Sequence, residues 1–147
     1  MSLNLDFFKS MNISASGLTA QRARIDVIAS NIANAESTRS VDGGPYRRKT
    51  VVFSEILNDV MNPGNASFEN LGGVQIDSIE EDQRPFRMEY DPSHPDANEE
   101  GYVEYPNVYV LREMVDLIEA QRAYEANVSA MNITKSFADA AIRIGRG

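Results

Sequence analysis

Cysteine is absent from this 147-residue chain. That excludes disulfides and thiolate metal sites and leaves stability to packing or to association with other chains. Histidine occurs once, as His94. No run approaches the roughly 18 consecutive apolar residues that a membrane-spanning helix needs, so direct membrane insertion is not expected. The opening residues MSLNLDFFK carry neither the basic stretch nor the continuous apolar stretch of a cleaved secretory signal. Taken alone these features imply a soluble cytoplasmic chain, although an export route that leaves the N-terminus uncleaved is compatible with them, and the lack of cysteine suits cytosol and periplasm alike.

Basic residues are also scarce in one place. The formal charge is -8, and residues 40–108 carry five basic side chains against fourteen acidic ones, while residues 1–35 hold three against two and 109–147 five against five. An acidic middle keeps copies soluble and disfavours nucleic acid as a partner; near-neutral ends can pack together without strong self-repulsion.

Each end carries an apolar stripe. Met11, Leu18, Ile25 and Ile32 recur every seven residues near the start, with Ala15, Ile28 and Ala35 on intervening turns; Val110, Leu117, Tyr124, Met131 and Ala138 do so near the end, with Met114, Val128 and Ile142 between them. This spacing predicts two long helices with a narrow coiled-coil seam, which calls for another helix rather than a broad core. The first spans about Leu5 to Ala35, interrupted only by Gly17; the second spans about Tyr109 to Ile144, rich in alanine and stopped by Gly145. An ordinary helical hairpin and packing between chains both satisfy such stripes, because each helix has a second face.

Between the helices the pattern changes. The glycines and Pro45 near residues 43–45 stop the first helix. Residues 46–53 read as an edge strand carrying Arg47, Arg48 and Lys49, followed by one short helical stretch over 54–61 and a turn at 62–65. Val74 and Ile76, then Phe86, Met88 and Tyr90, mark two further strands, and residues 102–108 are extended. Arg47, Arg48 and Lys49 lack the aromatic interleaving of a nucleic-acid patch and read instead as a solvated edge or as partners of acidic neighbours. Asp91, His94, Asp96, Glu99 and Glu100 could be read as a metal or acid-base cluster, with the first three as a hydrolase site, since carboxylates and imidazole supply oxygen and nitrogen ligands. Their proline-bearing loop and the lack of a second histidine favour a solvated loop instead, and no phosphate-cradling or triad motif accompanies them. No cofactor is expected.

The string SNIANAEST at 30–38, closing the first helix, resembles a signature of bacterial flagellar rod and hook proteins, and MVDLIEAQRAYEAN at 114–127 resembles that family's closing signature. PYRRKTVVF at 45–53, DPSHPD at 91–96 and EGYVEYPNV at 100–108 resemble its proximal rod members. Arg39 and Ser40 depart from the Gly-Tyr common after the first signature, with DGG inserted at 42–44. The resemblance implies a non-enzymatic structural subunit of the flagellar basal-body rod in the periplasm, exported by the flagellar type III apparatus without signal cleavage and transmitting torque. Its partners would be sibling rod proteins and copies of itself. The family pairs its terminal helices around an axial channel, with ends poorly ordered before assembly.

The expected architecture is therefore α+β: an N-terminal helix and rod signature over 1–38, a small β-rich middle over 39–108 and a C-terminal helix over 109–147. Met11, Leu18, Ile25, Ile32, Leu117, Tyr124, Val128 and Met131 are the candidate assembly seam. Asn31 and Asn34 are either C-terminal caps or interhelical hydrogen-bonding groups that fix register, and Gln121 and Asn127 carry the same ambiguity. A soluble adaptor whose helices bind another protein's helix is the alternative that shares these stripes.

Overall fold

The computed structural model describes residues 2–40, 43–56 and 72–145, with side chains from residue 7 onward. Among the described residues two long helices enclose four short strands in the order α1 (Ser2–Ala33), β1 (Lys49–Ile56), β2 (Gly73–Glu81), β3 (Arg87–Tyr90), β4 (Tyr102–Tyr105) and α2 (Val110–Gly145). The chain is thus α+β, with terminal helices flanking a β-rich middle.

Proline is absent from both helices, and alanines at 120, 123, 126 and 130 favour α2. The helices run antiparallel: Gly17 of α1 lies against Asn127 of α2, and Asn31, further along α1, meets Glu113, further back along α2. Small residues set the spacing. Ala20 and Ala120 are almost fully buried, and a side chain at Gly17 would place its Cβ 2.9 Å from Asn127 Oδ1. The single glycine of α1, which weakens an isolated helix, therefore leaves the space that the Asn127 amide fills.

β1 and β2 form one antiparallel ribbon in which Lys49 pairs with Glu81 and Ile56 with Gly73. Asp77 is the extra residue of a bulge, since Val52 pairs with Ser78 and Phe53 with Ile76. β3 and β4 form a second antiparallel ribbon, with Tyr90 opposite Tyr102 and their rings edge to face at 5.3 Å. The first ribbon packs on α1. At its far end Val74 donates its N–H to Ser16 Oγ at 3.2 Å, and Gly73, at φ +131°, lies where a Cβ would collide with that hydroxyl.

This packing corrects the view that α1 needs only a helical neighbour. It is covered by α2 on one side and by the β1–β2 ribbon on another, so its apolar residues spread beyond a two-position seam. The first strand also begins three residues later than expected and continues to Ile56, through residues expected to be helical. Before Lys49 the backbone makes other bonds: Tyr46 N donates to Ser37 O and Arg48 N to Asn107 Oδ1. The remainder of that helical stretch and the turn at 62–65 lie outside the described residues. The last extended segment ends as a strand at Tyr105, because Pro106 has no N–H for the ladder and Asn107 and Val108 are buried in the junction ahead of α2.

Gly17→Ala should destabilise the chain by about 1–3 kcal/mol through overpacking, against the gain of up to about 1 kcal/mol expected in an exposed helix. Adding Asn127→Ala should restore the loss. Thermal unfolding followed by circular dichroism measures both.

Candidate assembly interface

The most enclosed polar cluster joins α1, β1 and α2 and is centred on Asn31, which has no exposed surface. Its amide uses all four hydrogen-bonding positions. Oδ1 accepts from Lys49 N and from the Tyr46 hydroxyl, both at 2.9 Å; Nδ2 donates to Lys49 O at 2.8 Å and to Glu113 Oε2 at 2.9 Å. A single side chain thereby completes the backbone of the first residue of β1 and reaches across to α2.

Glu113 is equally buried. Arg48 Nε donates to its Oε1 at 2.6 Å, and the carboxylate sits in the first turn of α2, where the helix dipole favours negative charge. The Arg48 guanidinium also donates to Thr50 Oγ1 at 2.8 Å and lies 3.4 Å from Asp116 and 3.8 Å from Asp82. Asn107 Nδ2 donates to the carbonyls of Asp82 and Arg84. The Asp82 carboxyl is lowered to about 2, chiefly by the hydrogen bond from Arg84 and further by that residue's backbone N–H and charge. A buried ion pair loses its hydration and is compensated only when its remaining donors and acceptors are satisfied, as they are at Glu113.

The motif polar residues divide between the two readings given them. Asn31 makes the interhelical bond, whereas Asn34 acts locally: its N and Nδ2 both donate to Ser30 O, at 3.1 and 2.8 Å, and its Oδ1 accepts from Ser37 Oγ. Asn127 Nδ2 donates to Ala123 O at 2.9 Å while its Oδ1 faces Gly17. Gln121 lies on the exposed side of α2.

Met11, Leu18, Ile25, Ile32, Leu117, Tyr124 and Met131 are each half-buried. Val128, at 36%, and Met114, at 49%, are more exposed than these. The intervening turns of α2 face α1 with Glu113, Ala120 and Asn127, one residue earlier in phase than the apolar pattern suggests. Glu113 was missed for that reason, since a carboxylate interrupts an apolar stripe and its apolar neighbour Met114 takes its place in the count. Nothing in the spacing of Arg48, Tyr46 or Asn107 links them to it.

Asp91, His94 and Asp96 do not converge on a shared site. Asp91 accepts from Ser93 N and Oγ, His94 Nδ1 accepts from Asp96 N at 3.1 Å, and Asp96 accepts from Thr38 Oγ1 at 2.9 Å and pairs with Arg39. The Thr38 hydrogen bond, followed by that of Arg39, lowers the Asp96 carboxyl. The loop is thus fastened to the tail of α1, and Arg39, the residue that departs from the family pattern, supplies one fastening. Among the described residues no group of acidic and histidine side chains is arranged to hold a metal ion.

The other conspicuous feature is an uncovered face. Opposite its buried side, α2 displays Leu111, Val115 and Ile118, then Ile133, Phe137 and Ile144, with exposures from 50% at Ile118 to 81% at Leu111 and Ile144. These positions follow helical spacing along one side of the helix. The row is interrupted at its centre by Arg122 and Ser129.

Residues 11–39 match the family described as "Flagella basal body rod protein", and residues 99–144 match "Flagellar basal body rod FlgEFG protein C-terminal". The two matches cover α1 from Met11 onward with its tail, and α2 as far as Ile144 with its approach. A protein of Bacillus subtilis named flagellar basal-body rod protein FlgC is 51% identical over 95% of this chain and 98% of its own length. Its namesake from Borreliella burgdorferi is 45% identical over 97% and 100%, and that of Escherichia coli O157:H7 43% over 92% and 95%.

Acid should weaken the junction in a defined window. A carboxyl held below its ordinary value stabilises the fold above the unfolded value near 4, and that stabilisation is lost as pH falls toward about 2. Asp82→Asn should therefore flatten the fall in melting temperature between pH 4 and pH 2, measured by circular dichroism.

Proposed function

The chain belongs to the family of flagellar basal-body rod proteins, and we propose that it builds the proximal part of that rod by packing its terminal helices against sibling rod subunits and further copies of itself. The uncovered row on α2 carries this reading beyond family membership. The row runs from the first turn of α2 to its last, on the side away from α1. Leaving it in water forgoes burial worth about 1.5–3 kcal/mol for each large apolar side chain, which neighbouring helices would recover.

Contacts between different surfaces of like subunits propagate helically instead of closing into a dimer, as a tubular rod requires. The partly exposed seam residues Met11, Leu18, Ile25, Ile32, Leu117, Tyr124 and Met131 would lose their remaining exposure in the same step. Torque then passes through many packed side chains, with no reacting group. The chain would reach its periplasmic position through the flagellar type III export apparatus with its N-terminus uncleaved.

A helical adaptor would use the same row but would give a defined complex at every concentration. A hydrolase is disfavoured because Asp91, His94 and Asp96 are occupied in fastening their own loop.

Ile118→Glu and Phe137→Glu should leave the isolated chain's helical circular dichroism unchanged while abolishing incorporation into basal bodies and reducing swimming to the level of a deletion strain. Basal-body purification and a soft-agar motility assay read the two effects. Normal rods built from both variants would refute the role given to this face.

A further inference from the structure

Two contacts between α1 and α2 share a spacing. Gly17 and Asn31 are fourteen residues apart on α1, as are Asn127 and Glu113 on α2, so both contacts occupy the same phase of a seven-residue repeat. Between them α2 turns Ala120 toward α1, and alanine gives little preference for one alignment. A slide of α2 by one heptad, about 10 Å, would keep the phase of the repeat and change the identity of every pair.

We propose that Asn31 is a positioning residue that fixes the alignment of the two helices, and that it does so only when β1 is docked. In the described alignment its Nδ2 bridges Lys49 O and Glu113 Oε2, and its Oδ1 is held by Lys49 N and Tyr46. After the slide Ala120 would face it, and Ala120 has no side-chain acceptor for the amide. Glu113 would lose its bond from α1 while still carrying a charge. A buried polar group that is satisfied in one alignment and orphaned in the next sets register, as a polar seam residue does in coiled coils.

The conditional part follows from who holds whom. Lys49 supplies both backbone groups that orient the amide, and Arg48, the residue before it, holds Glu113 from the other side at 2.6 Å. Two consecutive residues entering β1 thus grip the partners from α1 and α2. Helix alignment and strand docking become one event, and the middle region acts as the gauge against which the helices are set.

The absence of cysteine makes the alignment readable in the full-length chain. The double variant Gly17→Cys with Asn127→Cys places two thiols at the observed contact, within disulfide reach. Arg24→Cys with Asn127→Cys reports the slipped alignment. In dilute monomer equilibrated with reduced and oxidised glutathione, the first pair should close at least tenfold more than the second, by mass spectrometry after alkylation. Asn31→Ala should lower that ratio at least fivefold with helicity retained, and Arg48→Met should lower it in the same direction. A role confined to stability would lower the melting temperature and leave the ratio where it was, which overturns the proposal. Equal closure of the two pairs with Asn31 intact also overturns it. If Asn31→Ala loses its helical signal, Glu113→Ala decides by the same ratio.

Discussion

One buried amide ties the three parts of this chain together. Asn31 is bonded through every position it has, to the first residue of β1, to Tyr46 and to Glu113 of α2. Remove it and two backbone groups of Lys49 lose their side-chain partner, the bond from α1 to Glu113 is gone, and a buried carboxylate keeps only its arginine. Unsatisfied buried groups are expensive in a way that lost apolar contacts between small side chains are not. The apolar seam supplies adhesion of a general kind, and the junction determines where the adhering surfaces stop.

The junction also explains a division of labour between the faces of α2. Its inner side combines alanines, Leu117 and Tyr124 with Glu113 and Asn127, and faces α1. Its outer side holds larger apolar residues with nothing over them, and in a family that assembles rods those are the residues free to meet neighbours. Had the inner alignment been loose, the outer row would present different residues at each level, and a regular lattice of subunits would not form. Internal register is thus a precondition of external periodicity.

Much of this architecture was legible in the sequence, and its limits are physical. Heptad spacing located both helices within a few residues, because periodicity reports one buried side irrespective of what covers it. It assigned the turns of α2 one residue too late, since Met114 and Val128 satisfy an apolar count that Glu113 and Asn127 break. Polar residues on a buried stripe look like interruptions unless their partners are known, and the partners of Glu113 are Arg48 and Asn31, far away in the chain. The same blindness misplaced β1. Tyr46 and Arg48 look strand-forming but spend their N–H groups on Ser37 and Asn107 before the ladder begins.

Gly17 shows how local and tertiary terms exchange sign. Judged by helix propensity it weakens α1 by about 1 kcal/mol relative to alanine, and nothing in its neighbours along the chain offsets that. Judged by the fold it is the residue that lets Asn127 sit 2.9 Å from where a Cβ would stand. A helix that carries such a residue depends on its partner: alone it is the weaker for the glycine, and paired it leaves room for the Asn127 amide. Helices that are marginal by themselves gain their stability from the surfaces that cover them. The same term that lowers the stability of the isolated helix therefore raises the selectivity of its pairing.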